Sequence, residues 1–244
     1  MNNFFKKLYT IWCALVFGSI FLVLYPFFLI IIPFPAWHKY SFYLNRLWST
    51  FALLLVGITV EIAGREKLHR HQQYVYCANH FSLIDILSFG FAPQAVLFVG
   101  KSSLAEIPLF GYMFRKIHIA VDRSSIKNSY NALFLAMKKM GKDKSLVMFP
   151  EGGVYTTEPP KMVKFKDGAF RAAIEKQIPV VPVSLPDNWI ILPDDKVTLV
   201  KRRKMRIKFL DPIPTKGLNV TNIETLKIQV FNRIQEDLIK ANTI

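Results

Sequence analysis

The chain has 244 residues, room for one sizeable domain with or without an appendage. Hydrophobic residues make up 52% of it, above the usual share for a soluble globule, while the formal charge is +15. A basic surface attracts phosphate, carried by nucleic acid, small substrates or anionic lipid headgroups; so apolar a composition argues against a nucleic-acid binder and for a lipid surface.

Charge and apolar residues are segregated along the chain. Leu8 to Ile32 holds no charged residue over 25 positions, and about 20 apolar residues cross a bilayer as a helix. Lys6 and Lys7 precede the run, as in a signal peptide, but such apolar cores run only about 7–15 residues and no small-residue cleavage site follows. Pro26 is expected to kink this helix or to mark a re-entrant bend. A second apolar run, Leu47 to Val60, has the length of a buried core helix or an interfacial segment. The aromatic-rich stretch "PFPAWHKYSFYLNR" between them reads as an interface belt. Lys6 and Lys7 at one outer end, and Arg65 and Lys67 at the other, place both ends on the cytoplasmic face of the inner or plasma membrane. The expected organisation is a membrane-associated helical hairpin over residues 1–62 and an α/β domain over 63–244; the alternative makes the second run the domain's first core element.

Beyond Gly64, apolar runs read as strands at "YVYCANH", "AVLFVG", "IHIAV", "SLVMFP" and "IPVVPVSL", apolar throughout as in strands covered on both faces. Between them, "SLIDILSFGF", "SIKNSYNALFLAMKKMGK" and "DGAFRAAIEKQ" read as helices, the second ended by Gly141. Repeated β-then-α units predict a mostly parallel β-sheet flanked by helices, with ligands at the carboxyl ends of the strands. His80, Arg123 and Glu151 each fall just after a predicted strand. The segment "TTEPPKMVKFK" reads as an irregular loop at the rim of such a site. The stretch 200–213, with Lys201, Arg202, Arg203, Lys204, Arg206 and Lys208, reads either as a solvated strand face or as an anionic-lipid contact. Cys13 and Cys77 lack metal-ligand spacing and read as reduced packing residues.

Three stretches can carry chemistry. In "NHFSLIDI", Ser82 and Asp85 resemble a capping box, which would leave His80 idle at the strand end. Alternatively, Asp85 accepts a hydrogen bond from one imidazole nitrogen of His80 and leaves the other as a base. Ser82 is then committed to capping, and an acceptor that brings its own hydroxyl is acylated directly, with no acyl-enzyme. In "VMFPEGG", Glu151 precedes Gly152 and Gly153, whose N–H groups suit an anion or a developing oxyanion; the bland alternative is an ordinary turn. In "IHIAVDR", Arg123 can hold a phosphate or form a surface ion pair with Asp122, and His118 reads as structural. Lys101, also after a strand, is a weaker phosphate candidate. His69 and His71 have no partner at useful spacing for a metal.

These blocks, in this order, resemble the glycerolipid acyltransferase family, closest to the 1-acyl-sn-glycerol-3-phosphate acyltransferases. "NHFSLID" is similar to its NHxSxxD block, so the resemblance implies His80 and Asp85 as the catalytic pair. "IAVDR" matches Arg123 to the phosphate-binding arginine, "FPEGG" matches Glu151, Gly152 and Gly153 to acceptor-binding positions, and "IPVVPVSL" is similar to a block on the acyl side. Lys101 falls where family members carry a lysine. The likeness spans about residues 64–190. It implies an acyl-CoA or acyl-carrier-protein donor, a lysophospholipid acceptor, the lipid bilayer as partner, and neither metal nor nucleic acid. In place of the family's Thr-Arg-Ser after FPEG stands Gly153-Val154-Tyr155, and Lys161, Lys164 or Lys166 are the candidates to replace the lost arginine. Acylation of another lyso-lipid, such as an amino-acid lipid, and non-catalytic lipid binding remain the alternatives.

Overall fold

The computed structural model describes residues 3–122, 125–194 and 199–243. Helix α1 (Asn3–Ile31) runs uninterrupted through Pro26, so no re-entrant break occurs there. It is long and apolar enough to cross a membrane. Only Val16, Phe21 and Phe28 of it are buried, while Phe4, Leu8, Ile11, Leu15, Leu22, Val23, Phe27 and Ile30 stay exposed. An apolar surface of this size is stable against lipid, not water, and α1 associates the protein with a membrane.

Helix α2 (Ser41–Leu55) takes the first part of the second apolar run, and strand β1 (Val60–Ala63) takes its end. The Trp48 indole donates to the Phe17 carbonyl at 3.0 Å and stacks near Phe17 and Phe21, which closes the α1–α2 hairpin. The opposite side of α2 is buried on the rest of the chain, through Phe42, Ser49 and Leu53. α2 crosses the loop at Gly90 so closely that a Cβ there would lie 2.6 Å from the Ser49 hydroxyl. Arg46 donates to the carbonyls of Gly90 and Ala92. The hairpin and the sheet therefore share one apolar cluster.

The chain continues through β2 (Val75–Ala78), α3 (Asp85–Ser88), β3 (Val96–Lys101), α4 (Phe110–Ile117), β4 (Ile119–Val121) and α5 (Ile126–Met140). It then passes through β5 (Ser145–Met148), α6 (Gly168–Lys176), β6 (Val180–Ser184), α7 (Asn188–Ile191), β7 (Met205–Phe209) and α8 (Ile223–Asn242). The Ser125 hydroxyl caps α5 by accepting from Asn128 N, and Gly141, at φ +61°, ends it. The strands form one seven-stranded sheet in the order β1-β7-β6-β2-β5-β3-β4. All neighbours are parallel except β6 and β7, so β1 and β7 run against the other five.

Strand alternation divides the core. Val75 and Cys77 of β2 face the layer of α5, α6 and α8, whereas Tyr74, Tyr76 and Ala78 face α2 and α3. β2 is buried at every position, as a central strand covered on both faces must be, and burial of a side chain the size of Val75 is worth about 1.5–3 kcal/mol. β2 and β5 are neighbours, so their carboxyl-terminal loops, 79–84 and 149–153, lie side by side.

Candidate active site

The loop after β2 is built around one carboxylate. Asp85 is fully buried. Its Oδ2 accepts from Phe81 N and Ser82 N, both at 2.9 Å, and contacts His80 Nδ1 at 2.9 Å. Its Oδ1 accepts from Asn188 Nδ2 at 2.8 Å. A carboxylate out of water costs several kcal/mol unless its lone pairs are met, and four donors meet them here. Oδ2 already accepts two backbone N–H bonds, so it takes the Nδ1 proton of His80, and the Nε2 lone pair is free to act as a base. The His80 ring stacks on Phe149 at 4.0 Å and 19° between planes, fixing its tilt.

The capping box is only half formed. Asp85 reaches back to Ser82 N, but the Ser82 hydroxyl donates to Leu192 O at 2.7 Å and accepts from Ile84 N, not from Asp85 N. Ser82 is a loop fastener. Asn79, which the sequence reading did not single out, pairs with the Leu185 backbone like one more strand residue: its Oδ1 accepts from Leu185 N at 2.8 Å and its Nδ2 donates to Leu185 O at 3.1 Å.

Glu151, in the neighbouring loop, does not line the cavity. It is 1% exposed, and its two oxygens accept from His80 N at 2.7 Å and Val163 N at 3.0 Å. Glu151 is thus a backbone brace between the two loops and the 156–166 segment. Burial pushes its carboxyl up to about 7, against the downward pull of those two N–H groups and of His80. Gly152 sits at φ +86°, open to glycine, and its N–H donates to Phe149 O at 3.0 Å. That N–H closes the turn. Gly153 follows, with Tyr155 so close that a Cβ on Gly153 would lie 2.8 Å from its ring. Lys166, tied by its N–H to Pro150 O, brings its ammonium over Gly152.

An apolar cavity of about 430 Å³ opens beside His80. Its walls include Trp48 from α2, Leu87, Phe98, Phe114, Gly152 and Gly153, with Lys101 at its edge. A second cavity of about 370 Å³ lies across Gly152, beside Lys166 and Arg171. Arg123 lies outside the described residues. His118 is structural: buried against Phe98 and Phe114, its Nδ1 accepts from Phe98 N. Burial, with Lys139 and Lys144 nearby, pushes it down to about 3, so it stays neutral. Most of the basic stretch 201–208 is spoken for: Arg203 and Arg206 on Asp187, Lys204 on Glu61, Lys208 on Asp237, and Arg202 on the Gly57 carbonyl.

A fixed imidazole–carboxylate pair at the wall of an apolar cavity, on a membrane-associated α/β scaffold, is suited to moving an acyl chain between hydroxyl and thioester. The acyltransferase family model matches residues 59–186. The chain belongs to the acyltransferase family. It is 31% identical over 190 residues to the 1-acyl-sn-glycerol-3-phosphate acyltransferase of Saccharomyces cerevisiae, a match covering 75% of this chain and 62%, less than two thirds, of that one. It is 28% identical over 200 residues to the protein of that name from Haemophilus influenzae, covering 77% and 80%. The fold matches the crystal structure of the 1-acyl-sn-glycerophosphate acyltransferase PlsC from Thermotoga maritima, with TM-score 0.78, 23% identity and 98% of each chain covered. The acyltransferase match takes in β1 to β6 and both strand-end loops, and the fold match extends through the hairpin.

Proposed function

We propose that this acyltransferase moves a fatty acyl group from an acyl thioester, acyl-CoA or acyl-ACP, to the free hydroxyl of 1-acyl-sn-glycerol-3-phosphate, giving phosphatidic acid. The observation that carries this reading is the His80 ring, held through Nδ1 by buried Asp85 on the wall of the apolar cavity. Nε2 takes the proton of the acceptor hydroxyl as its oxygen attacks the thioester carbonyl. Asp85 steadies the imidazolium, which returns the proton to the departing thiolate. The acyl chain lies in the cavity. Lys101 at the end of β3 and, from its motif, Arg123 hold the acceptor phosphate, while Glu151 keeps His80 in place through its backbone. Residues with these roles stand on the cytoplasmic side of the membrane that α1 enters, where acyl thioesters are dissolved.

A second reading, acylation of a lyso-lipid lacking glycerol phosphate, is favoured by Gly153, Val154 and Tyr155, which line the cavity without a cation among them. The full chain in detergent, given acyl-CoA or acyl-ACP with lysophosphatidate or with an amino-acid lyso-lipid, separates the two. Turnover of lysophosphatidate is expected. His80→Ala is expected to lower kcat/KM about 1,000-fold or more, with an unchanged Tm, as loss of a general base does. Turnover of only the amino-acid lipid supports the second reading, and lipid binding with no transfer to either points to a non-catalytic protein.

A further inference from the structure

We propose that Asn188 is a positioning residue of this site: it holds Asp85, and through Asp85 the imidazole of His80. The inference rests on the acyl-transfer reading of the His80–Asp85 pair. Three donors meet Oδ2 of Asp85, and all come from the loop that the carboxylate itself organises. Oδ1 meets one donor among the described residues, Asn188 Nδ2 at 2.8 Å, which also donates to Ser88 Oγ at 3.1 Å. Asn188 is fully buried and comes from α7, 103 positions further along the chain. It is therefore the contact that fixes the rotation of the carboxyl plane from outside the loop.

The surrounding segment is built to keep it there. Residues 185–192 grip the catalytic loop on both sides of His80: Leu185 pairs with Asn79 before it, and Leu192 O accepts from Ser82 after it. The segment is in turn anchored by Asp187, which is 1% exposed. Arg206 donates to its two oxygens at 2.6 and 2.8 Å, and Arg203 Nε adds a third bond at 2.9 Å. Such a fork-on-carboxylate pair is geometrically specific. Two cations of the stretch 201–208 thus serve the active site from behind, by way of Asp187 and α7.

The chemistry gives a signature that packing alone does not. A carboxylate that loses a charge-assisted donor holds its remaining protons more tightly, and the Nδ1–H of the imidazolium is one of them. Removing Asn188 Nδ2 therefore raises the proton affinity of the His80–Asp85 pair and moves the acid limb of kcat/KM to higher pH. Among the described residues Glu151 is the other titratable group touching the pair, through His80 N, and Lys101 and Asp194 line the cavity beside it; all three stay in place in both variants below.

The test uses the full chain in detergent, as wild type, Asn188→Leu and Asn188→Asp. It reads kcat and KM against pH, Tm, and the titration of His80 followed by NMR of its labelled imidazole. In Asn188→Leu the acid limb and the His80 titration are expected to rise by about one pH unit, the equivalent of one such bond. Plateau kcat is expected to fall roughly 10- to 100-fold with KM nearly unchanged, as for a small misplacement of a catalytic group. Asn188→Asp is nearly isosteric and places a second carboxyl against Asp85. The two share a proton, so the profile gains an additional ionisation. Wild-type pH profiles and His80 titrations in both variants, whatever the change in Tm, overturn the proposal; should Asn188→Leu not fold, Asn188→Asp decides by itself. A wild-type chain without turnover counts against the acyl-transfer reading, and the NMR titration then decides the role of Asn188.

Discussion

The loops after β2 and β5 lie side by side, and each hides a carboxylate that ties down backbone N–H groups; yet the two carboxylates are set up differently. Asp85 has four donors, one of them the His80 ring that forms part of the cavity wall. Glu151 has two, both backbone, and burial pushes it up to about 7. Both are braces. What separates them is the partner at the far end: Asp85 passes its charge to an imidazole with a free nitrogen, and Glu151 passes its own to an amide that takes no part in proton transfer.

Removing each brace tests the distinction. Asp85→Ala leaves Phe81 N, Ser82 N and Asn188 Nδ2 without their acceptor and frees the His80 ring to change tautomer. Turnover is expected to fall about 10⁴-fold, as when a triad carboxylate is lost, with roughly 3 kcal/mol of stability lost to the stranded donors. Steady-state kinetics and urea unfolding read the two effects. Glu151→Ala strands two N–H groups, and a loss of about 2–4 kcal/mol in urea unfolding is expected, with a smaller fall in turnover from the loosened loop. A fall in turnover equal to that of Asp85→Ala, at unchanged stability, would make Glu151 a chemical partner and end the contrast.

The pairing of His80 with Asp85 was legible in the sequence, and the long-range contacts that brace it were not. His80 and Asp85 are five positions apart on one strand-to-helix loop, so local geometry brings them together. The apolar runs of β2 to β6 announce strands buried on both faces for the same local reason. β7 alternates, with Met205, Ile207 and Phe209 inward and Arg206 and Lys208 turned outward, so the solvated-face reading of its charges is close; what spacing does not disclose is that Arg203 and Arg206 close on Asp187. Asn188 meets Asp85 across 103 positions, and Glu151 meets His80 N across 71. Both contacts depend on which strands are neighbours. α4 begins just after Pro108 and is too short for its period to stand out, whereas α8 has Leu226, Val230, Ile234 and Leu238 at every fourth position and carries a helical period in plain view.

The subtlest contrast concerns pH. In the unfolded chain Glu151 titrates at the ordinary 4.5, and in the folded chain at about 7. Between those values the folded state binds the extra proton, so stability is greatest below about 4.5, declines as pH rises, and has lost this contribution above about 7. The shift of about 2.5 units corresponds to roughly 3 kcal/mol at most. Glu151→Gln removes the titration and keeps the size of the side chain, although its amide nitrogen faces one of the two N–H donors and loses that bond. The variant is therefore expected to be less stable than the wild type near pH 5 and to draw level with it, or pass it, toward pH 8. Urea midpoints of the two proteins over that range measure the difference directly. A constant gap across the range would mean that the two backbone N–H groups hold Glu151 ionised throughout, and that its brace is as fully satisfied as that of Asp85.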